Sequence, residues 1–367
     1  MSSPANDSKT AFEDLASDPR RLFEVAALLL TGLLALAMLG FLFADWYRGQ
    51  PLPGTGVAGL TVEGFLGVGE WIDYLVGSNV FWLTSTWRSL ATSVLIGIAA
   101  PLLGAFLVHR QMALIGETLA HAAFAGVAVG ILVVTATATD FFGWFTLHSG
   151  HLLYIALVVA AIVALGLQWL TERTGSYGDV PIAIVLSGSF AIGSVLIYWS
   201  RGFAAITVNV EGFLFGSVAI VGPESARLMA LLTLLVVGIV ATQYKQLLFI
   251  TFDERAARVA GLDVGRYNVL LIVLTAIVVV GAMQIMGVIL VAAMLVVPAA
   301  TASILAGGFR ETMYLSVIFG QLSALGGIFL ALLGGLPPGG TIVIVSIGFY
   351  LLAVISSDRS VAGLSVH

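Results

Sequence analysis

An acid and a histidine stand four residues apart inside an apolar segment of the chain, residues 112–134. At this spacing, Glu117 and His121 share one face of a helix. A charged side chain at the middle of a membrane helix costs at least about 2.5 kcal/mol, so such residues usually have a function. A carboxylate and an imidazole also suit a divalent transition metal. The pair predicts part of a metal site or pathway. The alternative is a polar pair that only joins neighbouring helices.

Other polar residues are candidates for completing this site, because two protein ligands do not close a metal centre. Asn209 and Glu211 come just before or at the start of a short apolar segment, 213–221, which is too short to cross a bilayer. We expect this segment to form a re-entrant half-helix covered by protein. Asp179 precedes Pro181 at the start of an apolar helix, where it is either a pathway residue or an ordinary helix cap.

Two further features border the expected pathway. His148 and His151 lie on an expected outer loop, where they either capture metal at the entrance of the pathway or are simply solvated. Pro298 stands inside the apolar segment 287–306, where a proline is expected to kink or break the helix. Because broken helices often border transport pathways, Met294 and Pro298 are candidate gate residues. A kink that is simply filled by packing is the alternative.

The composition is that of a polytopic membrane protein. Hydrophobic residues make up 59% of the 367 residues, charged residues only 10%, and the mean hydropathy is +1.07. Soluble domains carry about 25% charged residues. The chain has no cysteine, which excludes disulfides and thiolate ligands, and its net charge of −5 argues against a nucleic-acid partner. We expect no permanently bound cofactor.

Apolar segments divide the chain into about ten transmembrane helices, which predicts an all-α fold. The spans are expected at 22–44, 81–108, 112–138, 151–170, 181–200, 225–244, 268–284, 287–307, 312–334 and 341–357. The first span is preceded by a polar tail, 1–21, which does not resemble a cleaved signal peptide. An external segment, 45–80, separates it from a main transmembrane domain, 81–357, and 358–367 form a second tail.

The distribution of basic residues predicts the orientation in the membrane. If the N-terminus is cytoplasmic, eleven arginines and lysines fall inside and four fall outside or near the outer helix ends. This bias satisfies the positive-inside rule, and the inverted arrangement reverses it. We therefore expect a multi-pass membrane protein with both termini in the cytoplasm.

The most charged internal connection, 246–268, predicts a docking surface. Asp253 to Ala260 read as a short amphipathic helix, whose first turn is acidic and which Gly261 ends. A solvated helix that merely joins two spans is the alternative. The residues expected to contact a cytoplasmic partner are Asp253, Glu254, Arg255, Ala256, Arg258 and Gly261.

No ATP-binding motif accompanies these features. The chain has two lysines, Lys9 and Lys245, and neither stands in the GxxxxGK[ST] pattern of a P-loop. The HExxH pattern of a membrane zinc protease is also missing. The chain is therefore expected to be a transport subunit rather than an enzyme, and any ATP-driven work belongs to another subunit.

Four segments together resemble the permease of zinc- and manganese-type ABC importers. They are LGAFLVHRQMALIGETLAHAAFAGVAVG (103–130), GDVPIAIVLSGSFAIGSVLI (178–197), VNVEGFLFGSVAIV (208–221), and FDERAARVAGL (252–262) followed by GVILVAAMLVVPAATA (287–302). Glu117 takes the acidic and His121 the histidine position of the first. Asn209 replaces the acid of the third, and Glu211 follows two residues later. The resemblance covers roughly residues 82–357 and leaves the first span and the external segment without a family role.

The resemblance implies a helical permease related to the cobalamin and siderophore type that dimerises around a central pathway. It implies two cytoplasmic ATP-binding subunits, an extracellular metal-binding protein, and a coupling helix within 252–262. It also implies a location in the plasma membrane of a prokaryote. Glu117, His121, Asn209 and Glu211 would then contact the transported zinc or manganese, with iron as a further candidate. Two alternatives remain open: a siderophore or cobalamin permease, which would not need Glu117 and His121, and a secondary transporter that works alone.

Overall fold

A computed structural model describes residues 19–50, 54–138, 152–174, 179–200, 210–217, 221–288 and 290–357. Within these ranges all regular structure is helical, which confirms the predicted all-α fold. The helices are α1 (Pro19–Tyr47), α2 (Thr55–Val76), α3 (Thr84–His109), α4 (Leu114–Ala138), α5 (Leu152–Thr174), α6 (Asp179–Ser200), α7 (Val210–Phe215), α8 (Pro223–Phe252), α9 (Glu254–Val259), α10 (Val264–Met286), α11 (Val291–Leu305), α12 (Phe309–Gly334) and α13 (Pro338–Ser356).

Nine helices in the described ranges are long and apolar enough to cross a membrane: α1, α3, α4, α5, α6, α8, α10, α12 and α13. They correspond to nine of the ten expected spans. The remaining expected span, 287–307, is represented by α11, which has 15 residues. At 1.5 Å per residue this helix is about 22 Å long, shorter than the ~30 Å hydrocarbon core. Because α11 packs against α3, α4, α12 and α13, neighbouring helices cover it.

The expected break at Pro298 is wrong, whereas the expected boundary between the spans 268–284 and 287–307 is present. Helix α11 continues through Pro298 without interruption from Val291 to Leu305. The boundary lies at Gly287, which ends α10 with a φ of 77°. That backbone conformation suits glycine, since other residues rarely adopt it. The interruption is therefore set by glycine, and the buried ring of Pro298 is accommodated within the helix.

The short helix α7 packs against the end of α10 at this interruption. We expected a half-helix over 213–221, but the helix is Val210–Phe215 and ends earlier, at Gly216 with a φ of 81°. Residues 218–220 lie outside the described residues. A side chain on Gly216 would collide with the Ile285 backbone, and one on Gly287 would collide with the Leu214 backbone. The ends of α7 and α10 therefore touch backbone to backbone.

The segment between the first two spans contains a helix that we did not expect there. Helix α2 buries Val62 and Gly69, and Phe65 packs between Phe41 of α1 and Trp87 of α3 with ring centroids 5.1 and 5.2 Å apart. Many of its other apolar side chains are exposed. Together, α1 and α2 form an extension that packs against the start of α3.

A buried ion pair fastens the same extension to the rest of the protein. The Asp45 carboxylate of α1 accepts from Nε of Arg88 in α3 at 2.7 Å and from its Nη2 at 3.2 Å. Arg48 contacts the same carboxylate at 2.7 Å. Because Asp45 is only 8% exposed, its charge relies on these two guanidinium groups.

Ring contacts identify one face of the helix bundle. His109 at the end of α3, Phe252 at the end of α8 and Phe309 at the start of α12 have ring centroids 4.9 to 6.1 Å apart. Helix α9 directly follows Phe252, so we call this side the α9 face. Helix α1 lies antiparallel to α3, because its end meets the start of α3, and it therefore begins on the α9 face. Helix α13 begins beside the far end of α10 and runs back towards the same face.

Replacing Gly287 tests the interruption between α10 and α11. Gly287→Ala adds a Cβ that meets the Leu214 backbone at a positive φ, so we expect unfolding to become easier by at least about 2 kcal/mol. Gly238→Ala is the matched control, because nothing lies within 4 Å of that position and alanine favours a helix. Thermal unfolding in detergent should show a lower Tm for Gly287→Ala alone. Equal Tm values for both variants and the wild type would contradict this account.

Replacing Asp45 tests the attachment of α1. Asp45→Asn removes the charge that Arg88 and Arg48 share, and a hydrogen bond to a charged group contributes about 1.5–3 kcal/mol. We expect faster proteolytic release of α1 from detergent-solubilised protein. The exposed acid Glu63 of α2 provides the control Glu63→Gln. Identical digestion patterns for the two variants would show that the ion pair does not hold α1.

Candidate functional site

Helix α4 carries the two residues from which the site was predicted, and most of its surface is packed. Its buried residues are mainly small, and Ala120, Ala122, Ala123 and Ala128 have no exposed surface. Helices α5, α6, α10 and α11 all pack against it. Small side chains let membrane helices approach closely, so the alanines explain how four neighbours fit around one helix.

Glycines bring α5 and α6 especially close to α4. A Cβ added to Gly126 of α4 would lie 2.8 Å from Cα of Ala156 in α5. A Cβ added to Gly193 of α6 would lie 2.7 Å from the Phe124 ring and 3.1 Å from Cα of Ala125. Each of these distances is shorter than a normal carbon–carbon contact. Around Gly126 and Gly193, the contacts of α4 with α5 and α6 therefore have no room for a transported ion.

The side chains of Glu117 and His121 lie on the less covered side of α4. Glu117 is exposed and His121 is half-buried. The His121 ring packs edge-on against Phe190 of α6, with centroids 5.1 Å apart. Its Nδ1 atom is buried and has no hydrogen-bond partner in the structure. Unpaired buried nitrogens are uncommon in proteins, so the imidazole is available for a ligand next to an accessible carboxylate.

The structure brings together only part of the predicted ligand set. Within the described residues, no group of three or more histidine and acidic residues is placed to hold a metal ion. Asn209, His148 and His151 lie outside the described residues. Glu211 is in α7 and Asp179 is the first residue of α6, but their side chains are not described. The roles of these five residues remain predictions.

The two candidate gate residues lie in the interior of the protein. Met294 is 1% exposed, and Pro298 is also buried. Helix α11 reaches α4 one residue before Glu117, because the Leu295 side chain packs where a side chain on Gly116 would stand. A displacement of α11 would therefore disturb the turn that carries Glu117, and the gate role of Met294 and Pro298 remains a prediction.

The predicted short helix in the charged connection is confirmed as α9. The Asp253 carboxylate caps its start by accepting from the backbone N–H of Ala256 at 2.8 Å. Arg258 pairs with Glu254 one turn earlier, and Gly261 follows the helix with a φ of 84°. Each of these features matches the capping and charge pattern from which the helix was predicted.

One side of α9 is anchored and the other is exposed. Ala257 is fully buried against Ile250 of α8 and Val264 of α10. Val259 is 91% exposed, and Arg255 is exposed as well. Phe252, just before this helix, is also exposed, so apolar and charged side chains lie together on this surface. Helix α9 is therefore anchored to α8 and α10 through Ala257, while Val259 and Arg255 point away from the protein.

Sequence reasoning overlooked a contact beside this helix. Nη2 of Arg110, in the turn between α3 and α4, donates to Oδ1 of Asn268 in α10 at 2.7 Å. Arg110 counted in the sequence only as a basic residue for orientation, and Asn268 drew no attention. The two residues are 158 positions apart, so no local pattern could have paired them.

The sequence of this protein matches the ABC 3 transport family over residues 83–357. The chain belongs to this family. It is 31% identical over 273 residues to the manganese transport system membrane protein MntC of Listeria innocua, covering 74% of this chain and 90% of MntC. It is 25% identical over 272 residues to the high-affinity zinc uptake system membrane protein ZnuB of Haemophilus influenzae, covering 74% and 97%.

A solved structure of the complex PsaBC from Streptococcus pneumoniae with Fab agrees with this assignment. The matched chain is 28% identical, with a TM-score of 0.65, and the match covers 80% of this chain and 97% of that chain. The predicted resemblance to metal ABC permeases is confirmed, and the protein is a membrane-spanning permease of an ABC transport system. The family match begins at residue 83, so α1 and α2 precede it.

Proposed function

We propose that this permease imports zinc or manganese, with Glu117 and His121 on the path of the ion. The observation that carries the proposal is the accessible carboxylate one helical turn from an unpaired imidazole nitrogen. Relatives named for manganese transport and for zinc uptake support a divalent metal as the substrate. Carboxylate and imidazole ligands suit both ions and iron as well.

An incomplete ligand pair is what a transport pathway requires. A metal centre with a full set of strong ligands would hold its ion, whereas transport needs release on the far side. Glu117 and His121 would provide two ligands, and Asn209 and Glu211 are proposed to contribute others in one state of the cycle. Only a difference in affinity between the outward-open and inward-open states can drive directional release.

Helix α9 is the proposed docking site for the cytoplasmic ATP-binding subunit. It is anchored through Ala257 and exposes Val259, so a push on the exposed side would reach α8 and α10 directly. The α9 face also carries Arg110, Arg255 and Arg258. Positive residues favour the cytoplasmic side, so we place the α9 face in the cytoplasm. Because α1 begins and α13 ends on this face, both termini are proposed to be cytoplasmic.

The rest of the proposed assembly follows from the same orientation. A metal-binding protein would deliver the ion on the side opposite α9, and two copies of this chain would enclose the pathway between them. The exposed side of α4 at Glu117 supports the pairing, because a second copy would shield the carboxylate from lipid. The proposed location is the bacterial plasma membrane.

Two other functions receive less support. A siderophore or cobalamin permease would not need Glu117 and His121, and the relatives described above are named for manganese and zinc. A secondary transporter would work without an ATPase, and α9 would then be dispensable. Family membership and the exposed docking helix both favour the ATP-driven permease.

Alanine substitutions test the ion path. Glu117→Ala and His121→Ala each remove one of two ligands, so we expect uptake of radiolabelled manganese or zinc to fall at least about tenfold. Glu117→Asp keeps the carboxylate and should retain part of the uptake. The control Glu224→Gln changes an exposed acid in the first turn of α8. Uptake at the wild-type rate in both alanine variants, at equal amounts of membrane protein, would refute the proposed path.

A substitution at Val259 tests the docking surface. Val259→Glu places a charge at a side chain that is 91% exposed, so the fold of the permease should not change. If α9 contacts the ATPase, co-purification of that subunit should fall at least about tenfold, because a buried unpaired charge weakens an interface. Val259→Ile should bind as the wild type does. Undiminished co-purification with Val259→Glu would place the docking site elsewhere.

A further inference from the structure

Both ends of α9 are connected to the turn between α3 and α4. Phe252, which comes just before the Asp253 cap, packs its ring against His109 with centroids 6.1 Å apart. Asn268, in the first turns of α10 after α9, accepts a hydrogen bond from Arg110 at 2.7 Å. Two neighbouring residues of one turn therefore touch the chain on either side of the docking helix.

The turn itself is short and tightly closed. The N–H of Met112 donates to the carbonyl of Leu107 at 2.9 Å, and the N–H of Gln111 donates to Val108 at 3.1 Å. Gln111 has a φ of 56°, and no other non-glycine residue in the described ranges has a positive φ. Residues other than glycine rarely adopt this backbone conformation, so the surrounding contacts must stabilise it at Gln111.

The turn leads directly into the helix that carries the candidate metal ligands. Helix α4 starts at Leu114, five residues after His109, and Glu117 lies in its first turn. Glu117 follows Arg110 by seven residues in the sequence. The N–H of Ile115 in α4 donates to the carbonyl of Met112 at 3.1 Å, so backbone hydrogen bonds connect the end of α3, the turn and the start of α4.

A cavity lies where this movement would occur. Its volume is about 680 Å³, and its lining includes Arg110, Gln111, Ile115, Glu254 and Asn268. It therefore borders the turn, the start of α4, the start of α9 and α10 together. Neither Glu117 nor His121 lines it, so it is separate from the proposed ion path. A close-packed interior would resist a shift of these elements, whereas the cavity leaves space for one.

We propose that the Arg110–Asn268 hydrogen bond transmits the movement of α9 to α4. This inference rests on the proposed function, in which an ATPase displaces α9. Asn268 is 7% exposed and moves with α10, and Arg110 moves with the turn. The hydrogen bond makes the two segments move as one unit, and the His109–Phe252 contact supports it from the other end of α9. Arg110 and Asn268 are positioning residues, which act on the ion path through α4.

The coupling between ATP hydrolysis and transport provides the test. Arg110→Ala and Asn268→Ala remove the link, and Asn268→Asp keeps an acceptor for Arg110. In proteoliposomes containing the permease with its ATPase and metal-binding protein, we expect the alanine variants to hydrolyse ATP but to import at least about tenfold less metal per ATP. Asn268→Asp should stay near the wild-type ratio. The control Arg266→Ala removes an exposed arginine of the same face that pairs only locally with Asp263.

The possible results separate this inference from the proposed function. If the wild-type complex shows no ATP-dependent metal uptake, the proposed function fails. If the wild type is coupled and both alanine variants keep its metal-to-ATP ratio, the function stands and the transmission role is refuted. If one alanine variant fails to assemble with its partners, the metal-to-ATP ratio of the other variant decides whether the transmission role stands.

A distance measurement that compares the wild type with Asn268→Ala tests the link directly. The chain has no cysteine, so spin labels can be placed at Leu114 of α4 and Arg266 of α10. If the link holds the two segments together, the distance between the labels stays constant on ATP binding in the wild type and changes in Asn268→Ala. A changing distance in the wild type, or the same distances in both proteins, would overturn the proposal.

Discussion

Close packing around α4 is the constraint on which the rest of the structure depends. Alanines and glycines along α4 allow α5 and α6 to approach until backbone meets backbone, as Gly126 and Gly193 show. That packing leaves no space for an ion around Gly126 and Gly193. It leaves Glu117 and the unpaired Nδ1 of His121 as the polar groups of the less covered side. The same small residues therefore position the helix and select the side on which chemistry can occur.

Two regions of the bundle are held in different ways. On the side opposite α9, glycine backbones at 216 and 287 fix α7 against the end of α10 with no side chain between them. On the α9 face, by contrast, the contacts are made by side chains around a cavity, including Arg110 with Asn268. Backbone-to-backbone packing resists displacement, whereas side chains beside free volume can rearrange. This contrast is what a permease driven from its cytoplasmic face would need.

Much of this architecture could be predicted from the sequence, because spans and capped helices are local signals. Nine spans and the helix α9, with its cap at Asp253 and its end at Gly261, follow from hydropathy and capping rules. Helix α2 was not predicted, since Glu63, Glu70 and Asp73 dilute its apolar character. A break was expected at Pro298, because proline is a strong local helix breaker, but the helix runs through that residue. The boundary between the spans 268–284 and 287–307 was expected, whereas the contact of Gly287 with Leu214 is tertiary and could not be. For the site, the sequence predicted Glu117 and His121 by spacing, but a composite ligand set depends on how distant segments pack.

We propose that this chain forms an ATP-driven path for a divalent metal along α4. The accumulation of radiolabelled manganese and zinc can be measured in proteoliposomes that contain the permease, its ATPase and its metal-binding protein. We expect accumulation that requires ATP and both Glu117 and His121, while the assembled complex remains intact without either side chain. Metal accumulation that proceeds equally without ATP, or without both side chains, would contradict it.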